Sequence, residues 1–397
     1  MKNLSKIGAA LLVSAAFFAS CEKVDDLPIY QSGTSPALTS TTPTVAPALT
    51  DSANNVVTFN WTSPKYATDS STVKYTLQID SAGKSFSNPY YSKELVATKG
   101  LSLRGDAITK LLIDRGLQYN IAYNMDVRVI SSYANSNEPL TSNILRVSMK
   151  AYVTPPKVRL PFAGKLFLVG DASQGGWNNP VPTPTQEFGK IDSVTYVGVF
   201  NMNGAKEFLV LPENGNWGFK YSLASNNFPG VETGGDFNYD QPNNFKGPAT
   251  SGWFKITLDF QRGKYKIQPY VGPQIPSNLF IVGNATPGGW NNPVPVPTQQ
   301  FTRLNSVQFV INSLQLNGTG NEYLMLPVNG DWSNKYAVES TGSTSGTGGF
   351  FGYNLNGNFP APAVSGAYRL EVNYGIQRTD AAGVENANSA QFKNTKL

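Results

Sequence analysis

The residues of this chain that are best suited to bind a ligand are two pairs of tryptophans. Trp177 and Trp290 each lie in the same eight-residue stretch, GGWNNPVP, which occurs twice. Trp217 and Trp332 follow further along, after GN and GD respectively. An indole ring offers a large, flat, apolar face that can stack on the C–H face of a pyranose ring. The four tryptophans therefore predict two similar sugar-binding sites.

Polar residues at matching positions could supply the hydrogen bonds that sugar hydroxyls need. Asn178 and Asn291 directly follow the first tryptophan of each pair, and Lys220 and Lys335 stand three residues after the second. Amide and ammonium groups can bind hydroxyls and so fix the orientation of a sugar. We therefore predict a glycan-binding set of two tryptophans, one asparagine and one lysine in each copy.

Each of these residues also has a purely structural interpretation. A tryptophan in a small β-domain is commonly a core residue, an asparagine beside proline makes turns, and a lysine is usually solvated. The Gly, Asn and Pro residues around the four tryptophans favour surface loops instead. Trp253 differs, because it lies in an alternating strand and corresponds to Ala367 in the other copy, so we predict that it packs in the core.

The similarity between the two copies extends well beyond the tryptophans. LFLVG at residues 166–170 returns as LFIVG at 279–283, and EFLVLP at 207–212 returns as EYLMLP at 322–327. The copies are offset by 113 residues at the first tryptophan and by 115 at the second. This offset is the size of a whole domain rather than of a solenoid repeat, so the sequence predicts a duplicated domain.

Short alternating runs separated by turn-rich stretches predict an all-β fold of tandem β-sandwich domains. Residues 51–153 are predicted to form an immunoglobulin-like or fibronectin-III-like spacer, with Trp61 in its core and one short helix capped by Asp106. The two copies of the duplicated domain are predicted at residues 162–271 and 277–397.

The N-terminus has the pattern of an export signal. Residues 1–20 combine two lysines with an apolar run that is too short to span a bilayer, which predicts a signal peptide. The run ends just before Cys21, so we predict that this cysteine is lipidated and anchors the protein. Residues 21–50 are rich in Pro, Thr and Ser and have no apolar period, which predicts a flexible tether after the anchor.

The composition excludes several classes of site. The sequence contains no histidine and a single cysteine, which rules out histidine-based catalytic triads, most zinc sites and an intrachain disulfide. Lys and Arg are not clustered, so no nucleic-acid partner is predicted. No metal and no other cofactor is predicted either.

Taken together, these features resemble the SusE/SusF family of outer-membrane starch-utilisation lipoproteins of Bacteroidota, with an order of parts closest to SusE. The resemblance rests on Cys21 followed by acidic residues, on the N-terminal β-sandwich, and on FLVGDA followed by GGWN at residues 167–178. It implies non-catalytic domains like carbohydrate-binding modules, held at the cell surface beside a TonB-dependent importer and its SusD-like partner. It also implies that Trp177, Trp217 and Lys220, with their counterparts in the second copy, bind the glycan.

The sequence thus predicts a non-catalytic lipoprotein on the surface of the outer membrane that captures a polysaccharide, starch-like or of another kind, for a SusC/SusD-like importer. An enzyme is not predicted, because a glycosidase needs two carboxylates and only Glu207 and Glu322 match between the copies. The alternative is a structural or adhesive surface lipoprotein whose tryptophan loops contact a protein partner, since tryptophan is also common in interface hot spots.

Overall fold

The computed structural model describes residues 32–67 and 69–397, which fold into two compact units. The first unit ends at Thr154, and the second comprises Pro155–Leu397. Both are built almost entirely of β-strands arranged in several sheets, which confirms the predicted all-β fold of tandem β-sandwiches. The predicted signal peptide, residues 1–20, and the predicted lipidation site, Cys21, lie outside the described residues.

The described residues of the first unit form nine strands and one α-helix. They are β1 (Leu38–Ser40), β2 (Thr44–Val45), β3 (Asn55–Trp61), β4 (Lys74–Ser81), β5 (Tyr91–Val96), β6 (Gly100–Arg104), α1 (Gly105–Ile113), β7 (Ala122–Ser132), β8 (Leu140–Thr141) and β9 (Leu145–Lys150). Two short 3-10 helices, at Leu49–Asp51 and Ser70–Thr72, complete it. One sheet has the order β1-β3-β6, and the other has the order β2-β9-β7-β4-β5 with β8 beside β7.

The core of the first unit lies between these two sheets and under the helix. Strand β4 alternates as its sequence predicts, so Tyr75, Leu77 and Ile79 are buried in it. Trp61 is also buried and packs against Tyr75, with ring centroids 5.6 Å apart. Because the indole fills the space between the sheets, the predicted core position of Trp61 is confirmed.

The helix α1 starts two residues earlier than an Asp106 cap would require. Arg104 occupies the N-cap position without a side-chain cap, and its guanidinium donates instead to the Asp106 carboxylate at 2.7 Å. The first helical N–H groups, those of Gly105 and Asp106, donate to the backbone oxygens of Asn54 and Ser52. Because the preceding chain already satisfies these donors, no capping side chain is needed, and the predicted cap at Asp106 is wrong.

Part of the predicted tether, residues 21–50, belongs to the first sandwich, which contains the strands β1 and β2. Leu38 is buried and pairs with Trp61 in the register of β1 and β3. The Asn143 side chain accepts a hydrogen bond from the Leu38 N–H at 2.8 Å and donates to its carbonyl at 3.1 Å. A three-residue strand held in this way needs one buried side chain and no apolar period, so the composition of the stretch did not reveal it.

The second unit begins with the first copy of the duplicated domain. Its strands are β10 (Phe167–Val169), β11 (Gly189–Lys190), β12 (Thr195–Met202), β13 (Glu207–Leu211), β14 (Tyr221–Ser222), β15 (Gly234–Asp236), β16 (Asn238–Tyr239), β17 (Phe245–Lys246), β18 (Gly252–Asp259) and β19 (Lys264–Pro269). One sheet has the order β10-β13-β14-β16, with β17 also paired to β13, and the other has the order β11-β12-β18-β19-β15.

The second copy repeats this topology in nine strands. They are β20 (Phe280–Val282), β21 (Thr302–Arg303), β22 (Gln308–Leu316), β23 (Glu322–Leu326), β24 (Tyr336–Ala337), β25 (Gly348–Tyr353), β26 (Phe359–Pro360), β27 (Gly366–Asn373) and β28 (Ala390–Lys396). Strand β25 pairs with both β24 and β28. It therefore takes the place of both β15 and β16 of the first copy. Because β25 belongs to both sheets, the two sheets join into one. Strand β28 closes the second copy and pairs with both β25 and β27.

The two copies pack directly against each other. The outward face of β12 and β18 in the first copy carries Val199 and Lys255, which are paired in register and buried. Val199 joins the hydrophobic core of the second copy. Lys255 donates to Gln377 at 2.7 Å and to Glu385 at 2.6 Å, and both partners belong to the second copy. These contacts fix how the two copies lie within the second unit.

Trp253 lies on this same outward face of β18, and it is not a core residue. It is 52% exposed, whereas its neighbours Phe254 and Ile256 point inward and are buried. The predicted core position of Trp253 is therefore wrong. The alternating pattern identified the strand correctly but left open which of its two faces is the inner one.

Candidate functional site

The two tryptophans of each copy lie beside each other on the surface. The indole centroids of Trp177 and Trp217 are 6.4 Å apart with an angle of 37° between the rings, and those of Trp290 and Trp332 are 6.5 Å apart at 38°. The four side chains are between 36% and 48% exposed. Each pair therefore forms a shallow, tilted aromatic surface, which we call the Trp platform of that copy.

The first loop of each platform is anchored by a buried valine. Val181 packs with Phe167, Val169, Leu209 and Leu211 in a small cluster of its own, separate from the main core of the copy. This cluster lies on β10 and β13, whose side chains are buried on both faces for that reason. In the second copy, Val294 plays the same part in the matching cluster. The loop thus folds back over the sheet and presents its tryptophan outward.

Asparagine side chains tie the two loops of each platform together. In the first copy, Asn214 accepts from the Val181 N–H at 2.7 Å and donates to the Val181 carbonyl at 3.1 Å, while the Asn179 oxygen accepts from the Gly215 N–H at 2.7 Å. These bonds link the loop of Trp177 to the loop of Trp217.

The second copy repeats the same ties. Asn329 is bonded to Val294 at 2.7 and 3.2 Å, and the Asn292 oxygen accepts from the Gly330 N–H at 2.7 Å. These asparagines therefore connect two loops that are distant in sequence, in addition to any local turn that they form. The connections set the distance between the two indoles of each platform.

A buried glutamine fixes the base of each first loop. Gln186 accepts from the Gly175 N–H at 2.9 Å and donates to the Leu168 carbonyl at 2.7 Å. Gln299 makes the same bonds to Gly288 and Ile281, at 2.8 and 2.7 Å. Because the amide satisfies both the loop and the strand, the backbone beneath each tryptophan is held rigidly.

The predicted asparagines beside the tryptophans are exposed, and their side chains also hold the turn. Asn178 donates through its amide nitrogen to the Gly175 carbonyl at 2.9 Å, and Asn291 donates to Gly288 at the same distance. One N–H of each amide therefore stabilises the turn, as the structural interpretation of these two residues predicts. The other N–H and the oxygen of each exposed amide remain positioned next to a platform.

The predicted lysines lie at the end of the second loop, just before β14 and β24. Both are half-buried, and neither forms an ion pair with any residue that the structure describes. Their backbones are fixed in the same way, since the carbonyls of Lys220 and Lys335 accept from the N–H groups of Asp240 and Asn354, each at 2.8 Å.

A further exposed aromatic residue in the second loop of the first copy was not predicted from the sequence. Phe219 stands two residues after Trp217 and is exposed, and its ring lies 6.0 Å from Phe162 and 6.2 Å from Tyr239. The matching residue in the second copy is Asn334, so this aromatic residue is specific to the first copy. A comparison of the two loops would have shown this difference, since Phe219 is the residue at which an aromatic replaces a polar side chain.

One carboxylate beside a platform stabilises the turn of its loop. The Asp331 carboxylate, beside Trp332, accepts from the Ser333 N–H at 2.8 Å, and hydrogen bonds from Ser333 lower the pKa of this carboxyl group. Asn216 occupies the matching position and accepts from Gly218 at 2.8 Å. A carboxylate in one copy and an amide in the other make the same turn, so the group acts as a hydrogen-bond acceptor for the loop.

The one carboxylate pair that matches between the copies is engaged elsewhere. Glu207 accepts from Asn244 at 2.9 Å, and Glu322 accepts from Asn358 at 2.8 Å. Within residues 32–67 and 69–397, no group of three or more Cys, Asp or Glu side chains is arranged to hold a metal ion. The chemistry that the platforms offer is aromatic stacking with neighbouring hydrogen-bonding groups.

The N-terminal part of the chain is similar to a known family. Residues 23–130 match the model of the SusE outer membrane protein family, and this range is about a quarter of the chain. The match confirms the predicted resemblance to the SusE/SusF family. Both Trp platforms lie outside the matched range.

The other comparisons concern curated proteins and solved structures. Among curated proteins, no sequence matches this chain. The crystal structure of SusF from Bacteroides thetaiotaomicron is similar, with 14% sequence identity, coverage of 91% of this chain and 77% of that chain, and a TM-score of 0.38. In the part of this chain that the structure describes, the helices lack the length and apolar character needed to cross a bilayer.

Proposed function

We propose that this SusE/SusF-like chain is a non-catalytic glycan-binding lipoprotein of the bacterial surface. In this proposal Cys21 carries the lipid anchor, and the second unit holds a polysaccharide for a SusC/SusD-like importer in the same membrane. The first unit acts as a spacer between the anchor and the binding domains. The polysaccharide is starch-like or of another kind.

The observation that carries the proposal is the repeated geometry of the Trp platforms. Two exposed indoles stand 6.4 and 6.5 Å apart in the two copies, at nearly the same angle. Large aromatic side chains are rarely left exposed in pairs unless they meet a partner. The tilt between the rings suits a bent or helical glycan, whose successive sugar units turn their apolar faces in different directions.

Neighbouring polar groups complete each proposed site. Asn178 and Asn291 offer amide groups beside the first indole, and Lys220 and Lys335 offer ammonium groups at the end of the second loop. Sugar recognition combines stacking area with a few hydrogen bonds that fix the orientation of the ring. Hydrogen bonds of Asn214 and Gln186 hold the loops in this arrangement, so binding costs little conformational entropy.

Two platforms on one unit suit a polymer better than a short oligosaccharide. A single shallow platform binds weakly, but two that engage the same polymer gain from effective concentration, by about 10²- to 10⁴-fold when both can be reached. The contacts between the copies, through Val199 and Lys255, hold the two platforms in a fixed arrangement.

Affinity electrophoresis of the full chain in detergent tests the proposal. The gels would contain starch, pullulan, dextran, xylan, mannan, levan, inulin, pectin or yeast cell-wall glucan. We expect retardation in one of these gels, its loss when Trp177 and Trp290 are both replaced by alanine, and no change for Phe228→Ala, an exposed aromatic outside both platforms. No retardation in any gel would favour the protein-contact alternative, for which a pull-down of membrane partners is the next measurement.

A further inference from the structure

A cleft between the two copies carries a fifth exposed tryptophan. The cleft has a volume of about 350 Å³, and Trp253 lines it together with residues of both copies. This volume is within the range of small-ligand sites, about 300–1,000 Å³. Trp253 is the most exposed tryptophan among the described residues, at 52%, although it lies in a paired strand, near the start of β18, rather than in a loop.

The pairing of β12 and β18 explains why this indole is uncovered. Val199 pairs with Lys255, and the next outward pair along the strands is Asn201 with Trp253. Residues directly opposite each other on antiparallel strands project from the same face. The second copy covers the first of these pairs, since Val199 and Lys255 are buried. Its contact ends there, so Asn201 and Trp253 stand at the rim of the interface and face the cleft.

The walls of the cleft offer neutral hydrogen-bonding groups around the indole. Gln174 and Asn201 of the first copy and Ser277 of the second are exposed. Their side chains form no hydrogen bonds with other described residues. None of the residues lining the cleft is an aspartate or a glutamate. The cleft therefore combines an apolar ring with free amide and hydroxyl groups.

The only charged residue of the cleft is already committed to the fold. Arg303 donates to the carbonyls of Asn305 and Ser306 at 3.1 and 3.2 Å, and its guanidinium lies over the Phe309 ring at 5.4 Å. Burial lowers the pKa of this guanidinium. With its donors directed at backbone oxygens, the arginine gives the cleft little attraction for an anion, so a neutral ligand fits it better.

We propose that this cleft is a third carbohydrate-binding site, in which a sugar ring stacks on Trp253 and hydrogen-bonds to Asn201 and Gln174. The proposal rests on the proposed function, because it assigns the same class of ligand to a second kind of site. The site exists only at the junction of the copies, since Ala367 replaces Trp253 at the matching position of the second copy. Gln174 also belongs to the loop that carries Trp177, so the cleft lies at the base of the first Trp platform.

Tryptophan fluorescence can observe this site separately from the platforms. Replacing Trp177, Trp217, Trp290 and Trp332 by alanine in the full chain leaves only Trp61 and Trp253. Trp61 is buried, so acrylamide quenching of this variant in detergent reports Trp253. The probes are malto-, isomalto-, xylo-, manno- and laminari-oligosaccharides. A bound sugar should reduce the quenching constant by roughly half, because a stacked ring covers one of the two indole faces.

Two further variants separate a binding role from a structural one. Asn201→Ala, added to the four replacements, should weaken the protection about two- to tenfold, while Thr257→Ala, on the same face of β18 but outside the cleft, should not. In the otherwise natural chain, Trp253→Ala should weaken retention in the polysaccharide gel by a similar factor without changing the circular dichroism spectrum. This second measurement does not depend on the folding of the multiple variant.

The outcomes distinguish this inference from the proposed function. Protection of Trp253 that Asn201→Ala weakens would support the cleft as a sugar site. Unchanged quenching with every probe, together with normal retention of Trp253→Ala, would overturn the cleft while leaving the platforms as the binding sites. If the natural chain is not retained by any polysaccharide and no probe protects Trp253, both the proposed function and the cleft are rejected.

Discussion

Lys255 of the first copy and Glu385 of the second form a partly buried ion pair at 2.6 Å. The other oxygen of Glu385 accepts from Gln268 of the first copy at 2.7 Å, so both carboxylate oxygens are bonded across the junction. Glu385 lies in the insertion between β27 and β28, which has no counterpart in the first copy. The insertion therefore connects the copies, and the pair is one of the contacts that set the distance between the platforms.

Removing one partner of this pair should loosen the junction more than removing both. Glu385→Ala leaves the buried Lys255 ammonium with only Gln377, whereas Lys255→Met combined with Glu385→Ala removes both charges of the pair. We expect the single variant to lose stability by about 1–3 kcal/mol, less than for a fully buried pair because Glu385 is 24% exposed, and the double variant to lose less. Thermal unfolding followed by circular dichroism measures both. Equal losses would show that the charge is not what makes the single variant unstable.

The two platforms should act together on a polymer. Trp177→Ala and Trp290→Ala each remove one indole, so each single variant keeps one intact platform and part of the binding. The double variant should lose polymer retention almost completely, because the gain from effective concentration disappears along with both sites. The measurement is retardation in the gel that retains the natural chain. A single variant that already binds nothing would contradict the tandem arrangement.

The asparagine ties should matter for binding although they do not face the ligand. Asn214→Ala removes both bonds to Val181, which join the two loops of the first platform. We expect a loss of first-platform affinity comparable to that of Trp217→Ala, and a loss of stability of about 1–2 kcal/mol from the unsatisfied Val181 groups. Both variants are made in a chain that carries Trp290→Ala, so that only the first platform is measured. Asn227→Ala, an exposed asparagine whose side chain makes no such bond, should change neither quantity.

The sequence predicted the parts of this structure that depend on repetition and local pattern. The duplication, the strands and the placement of four tryptophans in surface loops all follow from residue types and spacing, and the structure brings each predicted pair together. What it could not predict depends on contacts between distant residues. The strand at Leu38, the outward direction of Trp253 and the ties from Asn214 and Asn329 are set by which surface packs against which, and an alternating pattern is the same for either face.

The aromatic cores of the two copies should make the second unit sensitive to high pH. Burial raises the pKa of Tyr270 and Tyr336 above the usual value of 10.0, and each hydroxyl donates to a backbone carbonyl, that of Tyr374 for Tyr270 and that of Gln274 for Tyr336. In the unfolded chain these tyrosines ionise near pH 10, while in the folded chain they stay protonated to higher pH. The folded state therefore binds more protons above pH 10, and its stability falls as pH rises.

This loss should begin near pH 10 and amount to at most about 1.4 kcal/mol per pH unit for each such tyrosine. Below pH 10 these groups are protonated in both states, so their contribution to stability is fully present there. Ultraviolet titration of the folded protein should show the exposed tyrosines ionising first and the buried ones only together with unfolding. Tyr336→Phe removes one of these ionisations and should make the alkaline loss less steep. A single smooth titration of all tyrosines near pH 10, without unfolding, would show that the buried hydroxyls are not protected.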